Sequence, residues 1–112
     1  MAKITDIVGS ELMSIKKIGD NNVNLIFSNK NKENFEINFN GYYFETKEKP
    51  QNHKVQYAAI GILGFQAFSE LIKHHDNPKD YQQLFIKFIS DDDQAKVELI
   101  CAVNGLEIKK CD

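Results

Sequence analysis

Apolar and polar residues alternate along much of the first half of the chain, as they do in a strand with one buried face. The clearest case is the run in which Phe35, Ile37 and Phe39 are separated by Glu36 and Asn38. Comparable patterns cover, in chain order, 12–18, 23–27, 35–39 and 42–46. We predict four strands here, connected as an antiparallel meander.

Short groups of Gly, Asp and Asn separate these apolar runs. Residues 19–22 read Gly-Asp-Asn-Asn, and Asn40-Gly41 follows the third run. Gly and Asn adopt positive φ at little cost, which tight turns between antiparallel strands require. We therefore predict a chain reversal at 19–22 and another at Asn40-Gly41.

The segment between the two prolines has apolar residues at helical spacing. We favour one long helix over 55–75. Gly61 and Gly64 lie inside it, and each would weaken a helix by about 1 kcal/mol relative to Ala. A strand over 55–63, followed by a helix that begins near Gly64, is therefore the alternative.

After Pro78 the alternating pattern returns, over 84–89, 95–103 and 106–108, with Asn104-Gly105 as a further turn signal. Residues 1–112 then form a single α+β domain. Its predicted architecture is an antiparallel sheet of six to seven strands with one main helix packed on one face. A chain of 112 residues can bury a core without disulfides or metal.

Charge and composition narrow the choice of partners. The 14 basic residues are all Lys, and the net charge is −2. Arg is the side chain that binds phosphate and guanine with paired hydrogen bonds, so its absence argues against nucleic-acid recognition. After residue 56, nine acids stand against six Lys, which suits a basic partner. No stretch resembles a membrane span or a signal peptide, so we expect a cytoplasmic protein without membrane attachment.

No combination of residues has the spacing of a catalytic, cofactor or metal site. The adjacent His74 and His75 would point in different directions on a helix, so they are poorly placed to bind one ion. Cys101 falls within a predicted strand, where a thiol is normally inert, and Cys111 lies next to the terminus. We expect both thiols to be free, and we predict no catalysis, no cofactor and no bound metal.

Aromatic and acidic side chains are the most distinctive remaining feature. Tyr42, Tyr43 and Phe44 are consecutive on a predicted strand, so at least one faces away from the side that the others bury. Aromatic residues are favoured at binding hot spots, and carboxylates attract a basic partner. We predict a protein-binding surface made of these residues: Tyr43, Glu45, Glu48, Asp91, Asp92 and Asp93.

The short length, the slightly acidic balance, the Asn-rich hairpin at 19–22 and the strand run from Phe35 to Phe44 resemble the small immunity proteins with which bacteria neutralise polymorphic or contact-dependent toxins. The resemblance rests on the profile of the whole chain rather than on one motif. It implies a cytoplasmic protein that plugs the active cleft of a toxin, often a basic nuclease. Its carboxylates would take the place of substrate phosphates.

Two other functions remain open. A pocket between helix and sheet would suit a small ligand, or an enzyme that uses His53, His74 or His75. A homodimer would instead cover the aromatic residues 42–44.

Overall fold

Six antiparallel strands close into a barrel in the computed structural model of the chain, which describes residues 3–29, 31, 33–45, 53–74, 77–89 and 97–111. The strands are β1 (Glu11–Ile18), β2 (Asn22–Ser28), β3 (Asn34–Glu45), β4 (Lys54–Gly61), β5 (Gln82–Ile89) and β6 (Val97–Cys111). The helix α1 spans Phe65–Lys73, and short 3-10 turns cover Ile4–Ile7 and Pro78–Asp80. The order around the barrel is β1-β2-β3-β6-β5-β4, and β4 returns to β1 where Lys54 pairs with Glu11.

Strand alternation fills the inside of the barrel with apolar side chains. On β2 the interior residues are Val23, Leu25 and Phe27, and each is at most 2% exposed. The other strands contribute interior residues in the same way: Leu12, Phe35, Ile37, Phe39, Val55, Ala58, Leu84, Ile86, Phe88, Val97, Leu99, Cys101 and Val103. Small barrels have room inside for side chains alone. The interior is therefore the main hydrophobic core.

β3 and β6 bend at the two Asn-Gly pairs that the sequence pattern assigns to turns. Gly41 has φ +144° and Gly105 has φ +72°, and the β3–β6 register shifts between Asn38 and Asn40. A Cβ on Gly41 would collide with the carbonyl oxygen of Ala102. The turns predicted at these pairs are wrong, because Asn-Gly supplies positive φ inside a bent strand as well as in a turn.

The long helix predicted over 55–75 is also wrong, and the strand-then-helix alternative is confirmed. β4 covers Lys54–Gly61, and α1 follows it. The β4–β5 register shifts between Val55 and Tyr57, so that Val55 and Ala58 both lie in the interior. These two residues are three apart. A bulged strand thus imitates the i, i+3 spacing of a helix.

The helix α1 packs against the outside of the barrel, over β3 and β6. Ala67 and Leu71 are fully buried and form a second apolar cluster with Ala102. Partly buried side chains complete this cluster: Tyr42, Phe44, Leu63, Tyr81 and Ile100. Tyr43 packs against the interior core instead. The aromatic triplet 42–44 is therefore divided between the two clusters, as strand geometry requires.

The antiparallel sheet and the α+β class are confirmed, with six strands in the described part of the chain. The barrel closes where the two edge strands meet, at the pair formed by Glu11 of β1 and Lys54 of β4. Among the residues that the structure describes, no helix is both long enough and apolar enough to cross a membrane.

Candidate functional site

Large apolar side chains are exposed along α1 and just before it. Ile62 is 96% exposed and Phe65 is 86% exposed, while Phe68 and Ile72 are 43% and 52% exposed. Residues at 65, 68 and 72 are three and four positions apart, so they lie on one side of the helix. We name the four side chains Ile62, Phe65, Phe68 and Ile72 the α1 stripe.

The nine-residue helix α1 has three distinct sides. Ala67 and Leu71 face the barrel and are fully buried. Glu70 and Lys73 lie on a polar side. The α1 stripe occupies a third side, where a helix that only covers a barrel would carry polar residues. Folding of a single copy accounts for the buried side but leaves the α1 stripe in water, which is typical of an interaction surface.

A groove adjoins the α1 stripe where the chain returns to β5. It has a volume of about 460 Å³, and its walls include Leu63, Phe68 and Tyr81. The backbone amide of Gly64 donates a hydrogen bond of 2.6 Å to Oε1 of Gln83 on β5. This bond ties the start of α1 to the barrel, so the groove walls are held in a defined position.

Charged groups near the α1 stripe balance one another. Lys73 Nζ and Glu70 Oε1 are 3.2 Å apart on the polar side of α1. Lys79 and Asp80 are adjacent in the 3-10 turn beside the groove. These four charges sum to zero, so they produce little field over the stripe.

Tyr43, the aromatic member of the predicted binding surface, is half-buried and packs against the interior core. It borders a hollow of about 400 Å³ whose walls also include Lys17, Tyr42 and His74. The rings of Tyr42 and His74 stack with their centroids 4.4 Å apart and 9° between their planes. Because His74 directly follows α1, this stack fastens the end of the helix to β3.

The carboxylates of the predicted binding surface lie outside the described side chains. Glu48 and residues 91–93 are not among the described residues, and only the backbone of Glu45 is described, at the end of β3. The strands that flank these segments are neighbours, since Lys54 at the start of β4 pairs with Ile89 at the end of β5. The strand ends that lead into the two segments therefore meet at one end of the barrel.

Groups with catalytic potential lie on separate elements in the described part of the chain: His53 precedes β4, His74 follows α1 and Cys101 is on β6. Burial removes the Cys101 thiol from water and raises its pKa, so it stays protonated and is a poor nucleophile. His53 precedes β4 and is half-buried, whereas His74 is exposed. His75 and the side chain of Cys111 are not in the part of the chain that the structure describes. The described residues contain no group of three or more His, Cys, Asp or Glu side chains that could hold a metal ion.

A polar cluster on the outer surface of β2 and β3 was not indicated by the sequence pattern. Asn24 Nδ2 donates to Glu36 Oε1 at 2.9 Å and to Asn38 Oδ1 at 2.7 Å. Asn38 Nδ2 also donates to Glu36 Oε1 at 2.8 Å. Strand alternation in the sequence places Glu36 and Asn38 on the same face of β3. Only the pairing of β2 with β3 brings Asn24 beside them. The cluster satisfies these polar groups and favours this register.

The sequence pattern also missed the α1 stripe as a surface. Ile62, Phe65 and Ile72 are among the apolar residues at helical spacing from which the long helix over 55–75 was predicted, and all three are exposed. The available signal is that apolar residues between 65 and 72 occupy more than one side of a helix. A helix of this kind either is buried all round or carries a second contact surface.

No family model, curated protein or solved structure matches this chain. The surfaces of the barrel and of α1 are therefore the basis for assigning a function.

Proposed function

We propose that this chain is a binding protein that neutralises a toxin, in the manner of an immunity protein that caps a basic active site. The observation that carries the proposal is that β4 begins beside the end of β5, at the pair Lys54 and Ile89. The connections that contain Glu48 and residues 91–93 lead from these strand ends, and Glu45 is the last residue of β3. This topology supports one acidic surface at this end of the barrel.

A basic toxin domain is the partner that such a surface suits. Carboxylates that approach a cationic cleft steer the two proteins together and disfavour partners of the wrong charge. When the toxin is a nuclease, the same carboxylates occupy the positions of substrate phosphates. The association rate should then fall as salt screens the charges. The half-buried Tyr43 is the aromatic contact in this proposal.

The test needs a toxin domain: where a large reading frame adjoins the gene for this chain, the C-terminal domain that it encodes is the partner to express. We expect co-expression to protect cells from that domain, and the two purified proteins to form a complex in a titration calorimeter. The variant D91N/D92N/D93N should slow association about tenfold at low salt, because it removes steering charges. Stopped-flow mixing at low and high salt measures the rate and its salt dependence.

A matched variant, D20N/D80N/E107Q, neutralises three carboxylates that are exposed on the described surface. It should leave the association rate within about twofold of the original chain, since rates respond most to charges near the contact. If both variants slow association equally, the association rate depends on the net charge of the chain and not on a local acidic surface. Failure to protect cells, together with failure to form a complex, would reject the toxin-inhibitor function.

The hollow beside the stacked rings of Tyr42 and His74 favours a second candidate function, the binding of a small ligand. Its volume of about 400 Å³ falls within the roughly 300–1,000 Å³ of ligand sites. Native mass spectrometry and elemental analysis of protein purified from its host would test this function. A bound ligand or metal that is lost in H74A supports it, and protein that carries neither counts against it.

A further inference from the structure

The α1 stripe projects from the barrel beside a groove. We propose that this surface forms a homodimer with twofold symmetry, in which Phe65 of each copy occupies the groove of the other copy. The proposal goes beyond toxin binding, since it concerns a different surface and a second copy of this chain.

The amount of exposed apolar surface fits a dimer. Ile62 and Phe65 are almost fully exposed, and Phe68 and Ile72 are about half exposed. A fully covered aromatic side chain buries about 150–250 Å². With two side chains almost fully exposed and two about half exposed, the α1 stripe presents on the order of 500 Å². A stable interface buries about 800 Å² of each partner. The α1 stripe, of which Ile62 and Phe68 also line the groove, is large enough to form the apolar centre of such an interface.

The same surface carries a protrusion and a recess. Phe65 is the first residue of α1 and is 86% exposed. The groove next to it has a volume of about 460 Å³, and its walls combine apolar residues, among them Leu63, Phe68 and Tyr81, with the polar residues Lys79 and Gln82. A twofold axis converts one protrusion and one recess into two identical contacts. A phenyl ring suits walls made of aliphatic and aromatic side chains, where offset or edge-to-face packing is available.

Charge balance favours a second copy of this chain over a charged partner. Glu70 and Lys73 on α1, and Lys79 and Asp80 beside the groove, sum to zero. An anionic membrane would require an excess of Lys around the apolar side chains, and a basic toxin would require an excess of acids. An apolar centre with a rim of mixed charge is the usual composition of an interface between protein subunits.

The proposed dimer leaves the opposite end of the barrel accessible. β4 has eight residues, from Lys54 to Gly61, and a rise of about 3.3 Å per residue makes it about 23 Å long. Ile62 follows one end of β4, whereas Lys54 lies at the end that we propose for toxin binding. Each copy in a dimer formed through α1 would therefore retain its own toxin-binding end.

Sedimentation velocity of the full chain, from micromolar to submillimolar concentration, tests the dimer. We expect the original chain to shift from monomer to dimer as concentration rises, and F65E to remain monomeric. In a twofold-symmetric dimer the substitution is present at two equivalent contacts. F65E should therefore raise the dissociation constant roughly a hundredfold or more. Glu is favourable in the first turn of a helix, so circular dichroism and thermal unfolding should show an intact fold.

Two further variants make the test specific. I18E places the same charge at another exposed apolar residue, which is 56% exposed at the end of β1, and it should dimerise like the original chain. Y81A removes a wall of the recess and should weaken the dimer. The proposal is overturned by a chain that stays monomeric throughout, by a dimer that F65E leaves intact, or by a dimer that I18E weakens as much as F65E does.

The two proposals fail independently. F65E should keep the toxin affinity of the original chain and bind as a monomer, whereas D91N/D92N/D93N should keep the dimer. If the original chain stays monomeric and a folded F65E no longer binds toxin, the α1 stripe is the toxin surface and the homodimer is overturned. Co-sedimentation with anionic lipid vesicles that depends on Phe65 would overturn it in favour of membrane binding.

Discussion

The barrel interior and the α1 stripe contain the same kinds of side chain but differ in what covers them. Phe27 on β2 is fully buried, whereas Phe65 on α1 is 86% exposed. Closure of the barrel removes the interior side chains from water, and this burial drives folding. The α1 stripe keeps its apolar surface in water when the chain is alone, so its residues contribute little to the folding of one copy.

This difference separates residues that stabilise the fold from residues that are available for recognition. An interior side chain contacts neighbours on every side, so a substitution there changes the free energy of unfolding. A side chain of the α1 stripe has few neighbours, so a substitution there should change association instead. Matched substitutions in the two regions test the distinction.

The largest difference is expected between the two phenylalanines. Phe27→Ala removes a fully buried ring and should lower the free energy of unfolding by about 4 kcal/mol, from lost burial and the cavity that remains. Phe65→Ala should change it by less than about 0.5 kcal/mol, as exposed positions usually do. Urea unfolding followed by circular dichroism at low protein concentration measures both. Similar losses would show that Phe65 is part of the folding core.

A substitution at the bend in β3 should lower the free energy of unfolding nearly as much as Phe27→Ala does. Gly41→Ala sets a Cβ against the carbonyl oxygen of Ala102, at a position where φ is +144°. Strand separation or backbone strain should then cost about 3 kcal/mol or more. Gly19→Ala is the control, because Gly19 has φ +67° and open space around it, which predicts a loss of only about 1 kcal/mol. Thermal unfolding of the two variants measures the difference, and equal losses would contradict a role for the close approach to β6.

Most strands were predictable from the sequence because interior and exterior residues alternate. On β2, Val23, Leu25 and Phe27 lie two apart, and their burial follows directly from the pattern. The bends were not predictable, because Asn40-Gly41 has the same composition as a hairpin turn. Only the neighbouring β6, which passes close to Gly41, decides that the strand continues.

The candidate site was less predictable than the fold. Helical spacing identifies apolar residues such as Phe65 and Leu71 but does not tell which of them another element will cover. Leu71 is covered because β6 presents Ala102 and Ile100, which are distant in sequence. The exposure of Phe65 is likewise a property of the tertiary structure.

Two adjacent residues of α1 provide the next comparison. Leu71 is fully buried against the barrel, and Ile72 is 52% exposed in the α1 stripe. Leu71→Ala should cost about 2 kcal/mol, at the low end for a buried leucine because the small outer cluster can relax. Ile72→Ala should cost less than about 0.5 kcal/mol. Urea unfolding gives both values, and hydrogen exchange should show faster exchange in α1 for Leu71→Ala alone. An equal loss from Ile72→Ala would contradict its assignment to the free side of α1.

The smallest predicted effect on stability comes from the ionisation of Cys101, and it is confined to alkaline pH. The thiol is fully buried on β6, and desolvation raises its pKa above the ordinary value. In the unfolded chain the thiol has a pKa of about 8.5, whereas in the folded chain the thiol remains protonated. Its contribution to stability is therefore complete below about pH 8.5 and is lost as pH rises above it, by up to about 1.4 kcal/mol per pH unit.

A comparison of two variants isolates this titration. Cys111→Ser leaves Cys101 as the one thiol, and Cys101→Ala/Cys111→Ser has none. Lys and Tyr titrate in both, so the difference in the slope of unfolding free energy against pH belongs to Cys101. A thiol reagent provides a second measurement, because the buried thiol should react only when the barrel opens. A thiol introduced by Phe65→Cys in the thiol-free variant should react at once. Equal labelling rates would mean that the barrel interior is as accessible to water as the α1 stripe, and the contrast between the two regions would not hold.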